Sequence, residues 1–386
     1  MNISDDIVYI GVDDHAIDLF ESQFDVTRCG MSYNSYVILD EKVAVTDTVD
    51  VHFRDQWLSN LEAALDGRTP DYLIVHHMEP DHSANLLEFM ARYPHTTVVA
   101  TAAAFKMMKA YFGTDFAGRN LIVKQDSELC LGRHTLRFIT APLVHWPEVV
   151  FSYDTADKAL FTADAFGKFG ALDYQDPEGW AHQARRYYFG IVGKFGTNVQ
   201  AALHKIEGLD IRMICPLHGP VLRENLDYYL GLYRTWSSYG VETPGVCIAY
   251  TSIYGHTKAA VDELAEALRA RGESVLTYDL ARNDMSAVMS RAFRHGKLVL
   301  ATTTYCGGLF PIMETFMNTL AEHSYQKRLV GLVENGSWMP MAAKVMRGKL
   351  EGMKDITIAD TVVSIKGALD DANRDQIRAL ADEMTR

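Results

Sequence analysis

The stretch Tyr72-Leu73-Ile74-Val75-His76-His77-Met78-Glu79-Pro80-Asp81-His82 decides how the first half of this 386-residue chain is read. Its opening apolar run predicts a short buried strand. The residues that follow, Ser83-Ala84-Asn85-Leu86-Leu87-Glu88-Phe89-Met90, predict the start of a helix. Between them, four of the six side chains from His77 to His82 can bind a metal ion. In an extended segment, residues two apart point the same way, so His77 and Glu79 can reach one ion together. Pro80 reinforces this by biasing Glu79 toward extended backbone. The chain then turns, which aims Asp81 and His82 elsewhere, at a second ion. Ionisable groups this crowded repel one another unless cations neutralise them. The plainer alternative is a polar loop whose histidine caps a helix. Two imidazoles and two carboxylates at this spacing after a buried strand favour the metal. His76 points the opposite way and is read as structural.

Further donors follow other apolar runs. Thr96–Thr101, Asn120–Lys124 and Leu136–Thr140 read as strands, and Ala102–Tyr111 as a helix. The third strand runs into Ala141-Pro142-Leu143-Val144-His145-Trp146-Pro147-Glu148. A lone histidine there is ordinarily a satisfied loop residue, but the first loop still needs ligands from elsewhere. Asp164 ends the run Lys158-Ala159-Leu160-Phe161-Thr162-Ala163 and reads either as a helix N-cap or as a carboxylate bridging two ions. His218 follows Met213-Ile214-Cys215-Pro216-Leu217, with Gly219 allowing close approach. His15, His52, His95 and His134 have no comparable setting.

The H-x-E-x-D-H pattern resembles the H-x-H-x-D-H signature of metallo-β-lactamase-fold hydrolases, with Glu79 in place of the second histidine. Carboxylate is a harder ligand than imidazole and moves the preference from zinc toward iron or manganese. That variant is the one carried by flavodiiron proteins, whose opening hairpin is also similar to residues 30–47. The resemblance covers the first domain motif by motif. It implies one iron held by His77, Glu79 and His145, a second held by Asp81, His82 and His218, and Asp164 bridging them. In some members of that family the histidine at the position of His82 does not bind the metal.

Residues 223–239 have helical spacing, and Gly240-Val241-Glu242-Thr243-Pro244-Gly245 has the composition of a linker. The expected domains are therefore 1–243 and 246–386. The second opens with the strand Val246–Tyr250, the loop Thr251-Ser252-Ile253-Tyr254-Gly255-His256-Thr257, and a helix over 258–268. A hydroxyl- and glycine-bearing loop at a helix N-terminus is an anion site. It is similar to the flavodoxin phosphate loop S-x-T-G-x-T, with Tyr254 and His256 as departures. Two more strand-end loops, Thr303-Thr304-Tyr305-Cys306-Gly307-Gly308 and Asn335-Gly336-Ser337-Trp338, each place an aromatic beside glycine. Flavodoxin-like sheets bind FMN at such strand ends. The two loops depart from the family's usual P-T-Y-N-N-G and G-S-Y-G-W forms.

The expected fold is thus α/β: an N-terminal metallo-β-lactamase-like αββα sandwich followed by a flavodoxin-like doubly wound parallel sheet. The resemblance implies a cytoplasmic oxidoreductase that reduces dioxygen to water, nitric oxide to nitrous oxide, or both. The di-iron centre itself is the catalyst, with no separate acid or base. FMN supplies the electrons, reloaded by an external donor such as rubredoxin, in a head-to-tail homodimer or a dimer of dimers. A net charge of −13 argues against nucleic acid and anionic membranes. The N-terminus lacks the pattern of a signal peptide. The five cysteines form no C-x-x-C pair, which fits a reducing compartment and excludes a rubredoxin segment within this stretch. No G-x-G-x-x-G is present, so direct NADH oxidation is not expected. A zinc hydrolase and a plain flavin electron carrier are the rival classes. Glu79 and the second domain count against the first, and the full donor set against the second.

Overall fold

Two β-sheets of the first half share one apolar layer, and that layer explains why its strands read as near-continuous hydrophobic runs. The structure, a computed structural model, describes residues 1–385. The chain divides into two compact units, Met1–Arg234 and Thr235 onward. The division falls within the helix Leu226–Ser237, ahead of the glycine-flanked segment where composition suggests a linker. Thr243–Gly245 of that segment already belong to the first strand of the second unit, Thr243–Tyr250.

In the first unit a six-stranded sheet holds Ile7–Tyr9, Tyr36–Ile38, Ala44–Thr46, Tyr72–Ile74, Thr97–Thr101 and Asn120–Val123 in that spatial order. A five-stranded sheet holds Glu128–Cys130, Thr135–Thr140, Val150–Asp154, Ala159–Phe161 and Met213–Cys215. Ile7, Tyr36, Ile38, Ile74 and Val99 from the first sheet pack against Leu136, Phe138, Val150 and Phe161 from the second. Each fully buried side chain of this kind contributes about 1.5–3 kcal/mol. Helices cover the outer faces. Arg54–Leu65 buries Trp57, Leu58, Leu61 and Leu65. Ala102–Phe112 is capped by Thr101, whose hydroxyl accepts from the Ala104 N–H, and ends at Gly113 in the left-handed conformation.

The predicted hairpin forms between Tyr36–Ile38 and Ala44–Thr46, with Tyr36 opposite Thr46. Met31–Tyr33 pairs elsewhere, with Val12–Asp14. Asn34, between the two strands, is drawn aside because its amide donates to the carbonyls of Pro216 and Gly219 at 2.8 and 2.7 Å. The helix after the histidine-rich loop starts three residues earlier than its composition suggests. A four-residue turn, Pro80–Ser83, precedes Leu86–Arg92. Proline at a first helical position loses no hydrogen bond, since that N–H has no partner in any helix.

The second unit is a sheet of five parallel strands in the spatial order Val275–Asp279, Thr243–Tyr250, His295–Tyr305, Arg328–Asn335, Ile356–Ile365. In chain order this is 2-1-3-4-5, the flavodoxin-like arrangement. The helices His256–Arg269 and Asp371–Met384 bury Val261, Leu264, Leu268, Ile377 and Leu380 against one face. Both halves of the expected α/β architecture are present.

Candidate functional site

Strand direction brings the donors of the first unit together. Ala159–Phe161 and Met213–Cys215 run parallel, while Val150–Asp154 is antiparallel to both Ala159–Phe161 and Thr135–Thr140. The carboxyl ends of Thr135–Thr140, Ala159–Phe161 and Met213–Cys215 therefore lie at one edge, and these ends lead to His145, Asp164 and His218. The facing sheet supplies Tyr72–Ile74 and the loop beyond it. A cross-sheet hydrogen bond from the Val150 N–H to the His76 carbonyl, 3.2 Å, ties the two layers at this edge.

The seven side chains form two adjoining clusters, His77/Glu79/His145/Asp164 and Asp81/His82/His218. In the first, His77 Nε2 lies 3.2 Å from Glu79 Oε2 and 3.3 Å from His145 Nε2. In the second, His82 Nε2 and His218 Nε2 face each other at 3.0 Å. Asp164 stands between. Its Oδ2 is 3.1 Å from His145 Nε2 and its Oδ1 is 3.2 Å from His82 Nε2, so one oxygen serves each cluster. All but Glu79 are buried, and Glu79 is half-buried.

The electrostatics follow from this packing. Burial works against the charge on Glu79, but hydrogen bonds from His145 and His77 outweigh it and bring the carboxyl down to about 2. Burial likewise disfavours a charged His145, yet Asp164 and Glu79 raise it to about 9. Asp164 is held well below the usual carboxylate range: burial opposes this, and His77, His145 and His82 prevail. Cation demand also shows in unpaired atoms. Asp81 Oδ1 is buried with no hydrogen-bond partner among the described residues, and Asp81 Oδ2 and Asp164 Oδ1 meet only imidazole nitrogens of the cluster, at 3.2–3.3 Å, without forming a hydrogen bond of good geometry. Two donors each about 2.1 Å from one ion at near-right angles lie about 3 Å apart, which matches the facing imidazole nitrogens. The residues present therefore fit a pair of metal ions.

Aromatic rings wall the clusters. Trp146 packs edge-on to His77 with ring centres 5.2 Å apart, and Phe20, Tyr33 and Tyr187 surround His218 at 5.5, 5.9 and 5.5 Å. Behind His76, Asp47 and Ser152 hold its two ring nitrogens at 2.6 and 2.7 Å, consistent with a structural role. Sequence reasoning missed Glu148, Asp47, Phe20 and Tyr187. Glu148 lies three residues beyond His145 and could have been suspected. The others act across sheet contacts that leave no local signature. Glu21, on the turn between Leu19–Phe20 and Phe24–Asp25, was also missed. Its carboxyl is pushed up to about 7, by desolvation first and then by the charge on Glu79. His134 lies within ligand distance of Asp154 and Asp157, and exposed His15 sits near Asp13 and Asp173. The His134 ring is already satisfied, by Asp154 and Asp6.

In the second unit the three predicted loops meet at the carboxyl ends of neighbouring strands. Two cavities of about 410 and 380 Å³ share Thr303, Ser337 and Trp338. Thr304, Tyr305, Cys306, Gly307 and Gly336 line the first, and Ser252, Ile253, Tyr254, His256, Thr257 and Asn335 the second. Thr251, Gly255 and Gly308 line neither. Thr251 is buried beneath the loop, its hydroxyl 2.6 Å from that of Thr302. Gly255 instead starts the helix, at a φ of 92°. Gly367, unanticipated, lines the second cavity and exchanges two hydrogen bonds with the Asn335 side chain, 2.8 and 3.0 Å. Trp338 and Tyr305 are exposed at 90% and 47%, flat apolar surfaces with no protein ring stacked on Trp338 among the described residues.

Comparison with known proteins agrees with both halves. The family described as ODP family beta lactamase matches residues 31–219. A nitric oxide reductase of Moorella thermoacetica is 29% identical over 367 residues, 93% of this chain and 91% of that protein. A diflavin flavoprotein A 2 of Synechocystis is 31% identical over 83% of this chain, and the chain spans only 55% of that relative's length. Among solved structures, the rubredoxin oxygen:oxidoreductase of Desulfovibrio gigas has a TM-score of 0.93 at 24% identity, covering 100% of this chain and 98% of that one. The flavodiiron protein of Giardia intestinalis has a TM-score of 0.91 at 23% identity, covering 99% and 95%. Among the described residues no helix is long and apolar enough to cross a membrane. The lactamase-like sandwich followed in one chain by a 2-1-3-4-5 parallel sheet is covered almost end to end by these two solved structures, and the chain has the flavodiiron protein fold.

Proposed function

We propose that this protein reduces dioxygen to water, nitric oxide to nitrous oxide, or both, with two irons at the seven-residue cluster and FMN at the loop pocket. The observation that carries the reading is Asp164, whose two buried oxygens face two separate sets of histidines. When bound, the irons supply adjacent positions for a small diatomic molecule, and FMN supplies electrons one at a time. His77, Glu79 and His145 hold one ion, and Asp81, His82 and His218 the other. Asp164 keeps the two close and offsets their charge.

The surroundings suit such a substrate. Trp146, Phe20, Tyr33 and Tyr187 exclude bulk water and present apolar surface to an uncharged gas. The Tyr187 phenol stays protonated, because burial and then the charge on Asp164 push its ionisation well up. In the second unit the N-terminus of His256–Arg269, with Ser252 and Thr257, suits the FMN phosphate. Trp338 and Tyr305 suit the flavin ring. A small external donor such as rubredoxin reloads the flavin, and a head-to-tail dimer brings each flavin to its partner's irons.

The test is anaerobic single turnover. Protein reduced at FMN and iron is mixed with dioxygen or with nitric oxide, and flavin reoxidation is followed. The expected result is rapid reoxidation by at least one gas, lost in His145→Asn and Asp164→Ala while FMN remains bound. Full turnover in both variants, or two zinc ions in the purified protein, would overturn the proposal.

A further inference from the structure

The two clusters are gripped differently from behind. His77 Nδ1 lies 2.8 Å from Glu148 Oε1, and the same oxygen accepts the Met78 N–H at 2.8 Å. Glu148 is 2% exposed, and its backbone carbonyl accepts the Thr101 hydroxyl at 2.9 Å. Its second oxygen, Oε2, is buried with no hydrogen-bond partner among the described residues. In the other cluster, His218 Nδ1 meets only a neutral acceptor, the Ser32 carbonyl at 2.7 Å. His82 Nδ1 is buried with no hydrogen-bond partner among the described residues.

A neutral imidazole carries one N–H and one lone pair. Glu148 Oε1 is an acceptor, since it takes the Met78 N–H, and so it holds a proton on His77 Nδ1. Nε2 is then the atom left to face an ion, beside Glu79 and His145. The Ser32 carbonyl does the same for His218, without a charge. No acceptor among the described residues draws the His82 proton to Nδ1, whereas Asp164 Oδ1 and Asp81 Oδ2 lie 3.2 and 3.3 Å from its Nε2. Its proton can sit on Nε2 and block the inner face, and moving that proton outward leaves a buried N–H unsatisfied.

We infer that Glu148 is a positioning residue that makes the two metal positions unequal, so that the His77/Glu79/His145 position loads first and holds its ion more tightly than the Asp81/His82/His218 position. The inference rests on the two-metal reading above. Carboxylates behind ligating histidines typically change metal affinity 10–100-fold when removed, which sets the expected size.

The experiment titrates metal-free, FMN-containing protein with cobalt(II), read by visible absorption and by competition with a chelator. Wild type is expected to bind two ions in resolved steps. His145→Asn should remove the tight step, and His218→Asn the weak one. Glu148→Gln keeps an oxygen for both N–H groups but loses the charge, and should weaken the tight step about tenfold. Glu148→Ala should weaken it toward about a hundredfold, with the weak step unchanged in both. Long-range ¹H–¹⁵N correlations in the metal-free protein should show a slowly exchanging Nδ1–H on His77 in wild type, lost to exchange in Glu148→Ala. That readout does not depend on activity, and near-UV circular dichroism checks the fold. Two steps of equal affinity, a tight step lost in His218→Asn instead, or Glu148 variants with wild-type affinities would overturn the role of Glu148 and leave the two-metal reading standing. Failure of the wild type to bind cobalt would overturn both.

Discussion

Replacing Asp164 with asparagine removes one negative charge and almost no volume. Asp164 is 1% exposed, with Oδ2 at 3.1 Å from His145 Nε2 and 3.4 Å from His77 Nε2, and Oδ1 at 3.2 Å from His82 Nε2 and 3.8 Å from His218 Nε2. Every other donor serves one cluster, whereas this carboxylate faces both. Breaking a buried ionic arrangement by neutralising one partner costs about 3–5 kcal/mol. At about 1.4 kcal/mol per tenfold, that is roughly 10²–10⁴ in the combined affinity for two ions, or about 10–10² for each. Asp164→Asn should therefore be purified with less than two irons per chain and should release the remainder to a chelator faster than wild type. Its FMN content should be unchanged, since the flavin loops belong to the other unit. Iron count, chelator-driven release and flavin absorbance measured on one preparation make the comparison. Two irons released at the wild-type rate would show that Asp164 is not the shared ligand.

Three other outcomes are expected. Trp338→Ala should weaken FMN binding about tenfold, from loss of an aromatic contact worth about 1–1.5 kcal/mol, and fluorescence titration of flavin-free protein measures it; an unchanged affinity places the flavin ring elsewhere. His134 is fully buried, 3.0 Å from Asp154 and 3.2 Å from Asp6. Burial disfavours its charged form, but these carboxylates prevail and raise its ionisation above the ordinary value. The stabilisation is whole below about pH 6.5 and is lost as pH rises through the raised value. Urea midpoints of wild type should thus fall over that range while those of His134→Asn stay flatter, and parallel curves would contradict the assignment. Phe161, 2% exposed between the sheets, packs on Tyr36 and stacks on His76 at 5.4 and 6.0 Å. Phe161→Ala should cost about 3–5 kcal/mol in denaturant unfolding, and a loss under 1 kcal/mol would mean the layer refills the gap.

Local spacing alone determined much of this protein. The period-two placement of His77 and Glu79 is legible because side-chain direction in an extended chain repeats every two residues, and Pro80, which opens the helical turn, and the apolar runs ahead of His145, Asp164 and His218 are legible from composition. The three strand-end loops of the second half are legible for a similar reason: glycine, hydroxyls and aromatics cluster where a strand hands over to a helix. Tertiary structure decided the rest. His77 and His145 are 68 residues apart and meet only because three strands of the second sheet end at the edge where the first sheet supplies its loop. The choice of Glu148 as the partner behind His77 and of Phe20 and Tyr187 as walls depends on that same pairing of distant segments, and that of Gly367 as the clamp on Asn335 on the pairing of Arg328–Asn335 with Ile356–Ile365. Strand order and sheet packing are set by the burial of a shared apolar layer, a property of the whole chain that no window of sequence contains.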